Sequence, residues 1–193
     1  MDLCHERGLA DIEAEDVWRR AGLESEAFHA EFDDLEDAFC QTYERERDMM
    51  FERYERASIG LTSWRDRLRA TAYELYGSFR NEPRLARFLV IEAQSAGERA
   101  VRLQWEGVVR MFDLLDEGRD ELEESEVVSR VTAEAIAGGL FQNLGRLILG
   151  GELPPTKKIV PQAMYMAVLP YLGPGPAEEE LRIPPPPQFD DPD

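Results

Sequence analysis

The chain has 193 residues, 43% of them apolar, and its 40 acidic against 22 basic side chains leave a net charge of −18. That length supports one sizeable core, or a small unit packed on a medium one. No apolar run approaches the ~20 residues a bilayer span needs, and Met1–Arg7 lacks a signal peptide's pattern, so a cytoplasmic protein without membrane contact is expected. The acidity works against nucleic-acid binding, whose affinity comes from Lys and Arg displacing counterions at phosphates.

The apolar spacing is helical almost throughout, with no strand-like alternation and no internal repeat. Residues 1–7 read as helical turns stopped by Gly8. Ile12 to Ala21 form a short helix with Ile12, Val17, Trp18 and Ala21 turned inward, and Gly22 permits a sharp turn. Glu24 to Phe32 form a second short helix with Phe28 and Phe32 on one face. Asp33 or Asp34 caps a long helix running to about Ala57, with Leu35, Phe39, Tyr43, Met50 and Tyr54 spaced along it. Trp64 to about Phe79 is the next helix, and Pro83 opens another bearing Leu85, Phe88, Leu89 and Ile91. Ser95 to Glu117 follows, then an acidic link from Asp120 to Glu126. Val127 to Leu149 is expected as a helix closed by Gly150-Gly151, and a last helix after Pro154-Pro155 ends near Gly173. From Pro174 on, the chain is rich in Pro, Glu and Asp and reads as a disordered or extended tail.

The stretch Gly8-Leu9-Ala10-Asp11-Ile12, Val17-Trp18, Ala21-Gly22-Leu23, Phe28, Phe32, Leu35 and Phe39 is similar to the helix-turn-helix half of the tetracycline-repressor (TetR) family. Trp64 to Leu68, Glu82-Pro83-Arg84-Leu85-Ala86 and Val168-Leu169-Pro170-Tyr171-Leu172-Gly173 extend the resemblance to most of residues 1–175. It implies an all-α fold with a truncated N-terminal helix-turn-helix unit (1–45), a ligand-binding and dimerisation bundle (46–173) and the tail (174–193). It also implies a homodimeric transcription regulator, a repressor, relieved by a small, mainly apolar ligand.

Two departures stand against that pattern. Only about seven residues precede Gly8, where the family's opening helix runs three to four turns; either the chain is natively short there or its true start lies upstream. In addition, the helix that would enter the major groove carries Glu24, Glu26 and Glu31 where the family places basic and hydroxyl side chains. Residues 1–45 hold 14 carboxylates against only Arg7, Arg19, Arg20 and Arg45. Arg19, Arg20, Ser25 and His29 are the remaining candidates for DNA contact. The alternative is a degenerate dimer that has lost DNA binding and serves as a ligand-binding or protein-interaction module.

For a ligand pocket the candidates are Met50, Tyr54, Trp64, Tyr73, Tyr76, Phe88, Glu92, Trp105, Phe112 and Phe141, with Glu92 either a buried anchor for a cationic ligand or simply exposed. Residues 127–149 carry apolar and small side chains on more than one face, so this helix is expected to meet a partner as well as its own core. The expected isologous interface comprises Val131, Ala135, Gly138, Gly139, Gln142, Met164 and Val168. Cys4, Cys40, His5 and His29 lack metal-ligand spacing. No nucleophile elbow, phosphate loop or distinctive acid–base pair is present, so no cofactor, metal or catalytic residue is expected.

Overall fold

A computed structural model describes residues 1–122, 128–151 and 153–189. Among them the regular structure is helical: α1 (Asp2–Arg7), α2 (Ala14–Ala21), α3 (Ser25–Glu31), α4 (Leu35–Ser58), α5 (Trp64–Asn81), α6 (Pro83–Val90), α7 (Glu98–Asp116), α8 (Arg130–Leu149), α9 (Thr156–Leu172) and α10 (Pro174–Glu180), with short 3-10 turns between some of them. The end of the expected acidic link, with Val127, and Asp190–Asp193 lie outside the described residues.

Local chemistry sets the boundaries. Asp34 caps α4 by accepting the Asp37 N–H at 2.8 Å, and Ser129 caps α8 through the Val131 N–H. Pro83, at the first position of α6, supplies the φ a helix start needs and lacks only an N–H that would be unsatisfied there. Gly22 ends α2 in the left-handed conformation, φ 69°, letting the Leu23 N–H return to the Trp18 carbonyl at 2.9 Å. The first expected short helix, Ile12 to Ala21, starts two residues later at Ala14, and a 3-10 turn at Leu9–Asp11 precedes it. Ile12 is buried and Val17 and Trp18 half-buried, but Ala21, expected inward, is exposed.

The bundle is built on α4. Its 24 residues extend about 36 Å, and the buried face of Phe39, Cys40, Tyr43, Met50, Phe51 and Tyr54 packs against α5, α6 and α7. Around it, α7 packs on α8, α5 on α9, and α6 on α8. Burial pushes the Cys4 and Cys40 thiols above their ordinary pKa, which disfavours the reactive thiolate.

The two ends of the chain are each fastened by a buried carboxylate. At the front, Glu92 lies where α6 breaks into a 3-10 turn. It is 3% exposed, accepts the Leu9 N–H at 2.7 Å, and pairs with Arg87 at 2.7 Å. Leu9 belongs to the turn after α1, so this contact ties the N-terminal unit to the body, and α1 itself packs on α6.

At the back, the expected disordered tail is a correction: residues 174–189 are folded onto α5 and α9. The Glu180 side chain has no solvent exposure and meets Arg65 Nε at 2.6 Å and Arg69 Nε at 2.8 Å, while Ala177 is fully buried. Beyond α10, the Phe189 ring stacks on Tyr73 with centroids 5.6 Å apart, and Thr156 Oγ1 donates to the Phe189 carbonyl at 2.9 Å. Phe189 rests directly over Gly77, where a Cβ would collide with the ring. Composition marks this segment as too polar to fold, but α5 supplies the guanidinium groups that let its acid go inside.

Glu180→Gln leaves two arginines facing a neutral amide in a closed site. A loss of about 3 kcal/mol is expected on breaking a buried pair, and urea unfolding followed by circular dichroism reads it.

Candidate functional site

In the N-terminal unit, α2 and α3 are joined by the Gly22 turn. Its small core is aromatic: Trp18, Phe28 and Phe32 have ring centroids 5.4 Å (Trp18–Phe28) and 5.3 Å (Phe28–Phe32) apart. His29 stands on the exposed side of α3, its ring against Trp18 and Phe28. Ser25 opens α3 and is half-buried. Arg19 and Arg20 are exposed, but each already faces a carboxylate, Arg19 with Glu15 at 2.7 Å and Arg20 with Glu6 at 2.7 Å. Across α3, Glu26 and Glu31 are exposed, with Glu24 immediately before the helix. The surface that α3 presents is therefore acidic, and its nearest arginines are paired within the chain.

Inside the bundle lie two adjoining apolar cavities. One, of about 90 Å³, is bounded by α5, α7, α8 and α9, with Leu68, Ala72, Tyr76, Ala137, Ala163 and Met164 among its walls. The other, of about 80 Å³, reaches toward α4 and the end of α6, where Met50, Tyr54, Leu89, Val90 and Gln104 line it. Leu75, Val108, Met111, Phe141 and Leu144 border both. Together they slightly exceed the ~150 Å³ of engineered apolar cavities that accept benzene. Polar groups enter this region at the α6 break, where Gln104 Nε2 donates to the Leu89 and Val90 carbonyls at 2.9 and 3.0 Å and the Tyr43 hydroxyl donates to Leu89 at 3.2 Å. The buried Tyr54 hydroxyl finds no hydrogen-bond partner among the described residues. Burial raises its pKa well above the ordinary value, so it stays a neutral donor; Tyr76 is pushed up to about 12 for the same reason.

Of the pocket residues read from sequence, Met50, Tyr54, Tyr76 and Phe141 line these cavities. Trp64 is instead packed edge-on against Tyr171, its indole N–H donating to the Leu114 carbonyl at 2.9 Å. Tyr73 carries Phe189, and Phe88 packs on Phe39 with centroids 4.5 Å apart. Phe112 is buried beneath Trp105, which is itself 60% exposed and so turned away from the interior. Glu92 faces Arg87 and the Leu9 amide rather than a cavity. The wall residues absent from the sequence reading, among them Leu68, Ala72, Leu75 and Met111, are ordinary inner-face aliphatics. Their only signal is helical spacing, which every core residue shares.

On the outer face of α8, Val131, Ala135, Gly139 and Gln142 are exposed and Gly138 half-buried. A Cβ on Gly138 or Gly139 would meet nothing within 4 Å in the monomer. Met164 and Val168 are corrections: both are buried in the protomer's own core, and the face of α9 turned to solvent carries Met166 and Leu169 instead. The inward face of α9 is the stripe Val160, Ala163, Met164, Ala167, Val168 and Tyr171, which leaves Met166 and Leu169 outward.

Among the described residues no cluster of three or more His, Cys, Asp or Glu could hold a metal ion, and no helix is long and apolar enough to cross a membrane. No protein-family model matches the chain, and no curated protein matches its sequence. The fold is nevertheless shared with a solved protein, the fatty acid degradation regulator FadR from Bacillus halodurans. The two superpose with a TM-score of 0.74 over 86% of this chain and 89% of that one, at 13% sequence identity. At that identity the likeness establishes a shared all-α fold.

Proposed function

We propose that the chain is a ligand-responsive transcription regulator of the TetR type, a cytoplasmic homodimer in which a small, mainly apolar molecule entering the bundle relieves DNA binding by the α2–α3 unit. The observation that carries this reading is the continuity between cavity and N-terminal unit. Leu89 and Val90 line the cavity, and two residues beyond Val90, Glu92 holds the Leu9 amide. A ligand that displaces the end of α6 thus moves the anchor of the helix-turn-helix. A coupling of ~1–3 kcal/mol is typical of such linkage. The shared fold with a regulator adds support.

A second reading draws on a separate observation, the acidic α3 with Arg19 and Arg20 already paired. Carboxylates near phosphates repel them, and Glu at a base edge can accept only from an amino group. On this reading the dimer persists while the N-terminal unit contacts a basic protein partner in place of DNA.

Fluorescence anisotropy against the chain's own upstream DNA separates the two. The regulator reading expects selective binding that weakens as salt rises and is released by ligand, with Glu92→Gln retaining ligand binding but losing its effect on DNA. Absence of binding at low salt, in a protein that still dimerises, rejects it in favour of the second reading.

The Tyr54 hydroxyl refines the ligand: an apolar body with one hydrogen-bond acceptor would pair it. Tyr54→Phe removes an unsatisfied buried group, so thermal unfolding is expected to show equal or higher Tm without ligand. The same variant is expected to bind an acceptor-bearing ligand several-fold more weakly, in line with a net hydrogen bond of about 1 kcal/mol.

For the dimer, α8 and α9 offer an exposed stripe of Val131, Leu149, Met166 and Leu169. Replacing Met166 and Leu169 together by Glu is expected to yield monomers of unchanged helicity, read by light scattering after size exclusion and by circular dichroism.

A further inference from the structure

A cleft of about 350 Å³ lies in the N-terminal part of the chain, bordered by α1, α2, α4, α6 and the turn after α1. That volume is in the range of small-molecule sites, and the cleft shares no lining residue with the interior cavities of about 90 and 80 Å³. Its walls are apolar side chains that helical spacing turns inward but that the fold leaves short of full burial. Val17, Phe32 and Leu35 are half-buried and Ala21 is exposed, while Ala38 and Phe39 form a buried floor. The exposure of Ala21, at odds with its inward spacing, is thus exposure to this cleft.

The charged side chains on the cleft are already taken. Asp2 pairs with Arg84 at 2.6 Å and Arg20 with Glu6 at 2.7 Å, and the Thr42 hydroxyl donates to the Ala38 carbonyl at 2.8 Å. What the cleft offers an occupant is therefore apolar surface, on a chain whose net charge of −18 repels anions. Size decides between a small molecule and a protein segment. One helical turn, about 10 Å across and about 5.4 Å long, takes up roughly 420 Å³, more than the cleft holds. The cleft also stands where α2 is weakly fastened: its ion pairs to α1, Arg7 with Asp16 at 3.0 Å and Arg20 with Glu6, are open to water and so contribute little.

We propose that this cleft binds a compact, uncharged apolar molecule, which rests on Ala38 and Phe39 and bridges α2 to α4. Bound there, it covers Val17, Phe32 and Leu35 and adds to the fastening of α2 an apolar contact that water and salt do not weaken. The site is separate from the cavity invoked for ligand relief and does not depend on the regulator reading; only its regulatory meaning rests on that reading.

Phenylnaphthylamine is uncharged and fluoresces strongly only out of water; anilinonaphthalene sulfonate has the same rings and an anion. Each is titrated into the full-length chain. The uncharged probe is expected to bind saturably and the sulfonate about tenfold more weakly or not at all. Ala38→Phe, which fills the floor of the cleft, is expected to weaken the uncharged probe about tenfold or more. Should Ala38→Phe fold poorly, Ala21→Leu narrows the cleft from an exposed position and is expected to weaken it likewise. Ala72→Leu, which fills the interior cavity, is expected to leave binding unchanged. The site is overturned if the uncharged probe fails to bind, if the sulfonate binds as well, or if the folded cleft variants bind like the parent chain. It is also overturned if Ala72→Leu abolishes binding; the ligand then sits inside the bundle and the interior-cavity reading stands. Bridging of α2 to α4 predicts slower hydrogen exchange at the amides of α2 in saturating probe, and unchanged exchange overturns that bridging.

Discussion

In a chain with nearly twice as many acids as bases, a carboxylate can enter the interior only where a guanidinium meets it. Taking a charge out of water costs several kcal/mol, and an opposite charge with hydrogen bonds must offset that cost. The protein does this at Glu92 and at Glu180, and these two sites hold the ends of the chain on the bundle. Glu92 with Arg87 catches the turn after α1; Glu180 with Arg65 and Arg69 seats α10 against α5. Apolar contacts from Cys4, Leu9 and Ile12 at one end and Ala177 and Phe189 at the other join the same core beside these ion pairs.

Between those ends the bundle leaves room inside. Alanines at 72, 137, 163 and 167 face one another across the interior cavity, where larger side chains would have filled it. The end of α6 is a wall of this space and also the place where the helix breaks, its released carbonyls taken up by Gln104 and Tyr43. A helix end held by side chains rather than by its own ladder can shift with modest loss. Its position places one short stretch of chain between the cavity wall at Leu89 and Val90 and the Glu92 joint that holds the Leu9 amide.

The N-terminal unit joins two short helices through a tight turn, and the surface of its second helix is acidic. Its aromatic cluster of Trp18, Phe28 and Phe32 and the left-handed Gly22 preserve the geometry, independent of what the outer face carries. Shape and surface are set by different residues on opposite sides of α2 and α3, which is how the acidity can change with the fold intact.

Helical periodicity, prolines at helix starts and glycines at helix ends fixed the element order and most boundaries from sequence alone, because those signals act within one turn of the chain. The span of α4, the Gly22 turn and the start of α6 at Pro83 were legible for that reason. What only the tertiary structure decided were relations between distant residues: which aromatics line a cavity and which fill the core, which face of α9 looks outward, and the folding of the Pro- and Glu-rich end. Trp105 and Tyr54 carry the same apolar signal in sequence, yet one points to solvent and the other into the bundle. Glu92 reads equally as a buried anchor or an exposed acid, and Glu180 as one of 40 acids; the arginines brought to them from other turns and helices accompany both into the interior. Burial of a charge depends on its partner's position in space, which local sequence does not encode.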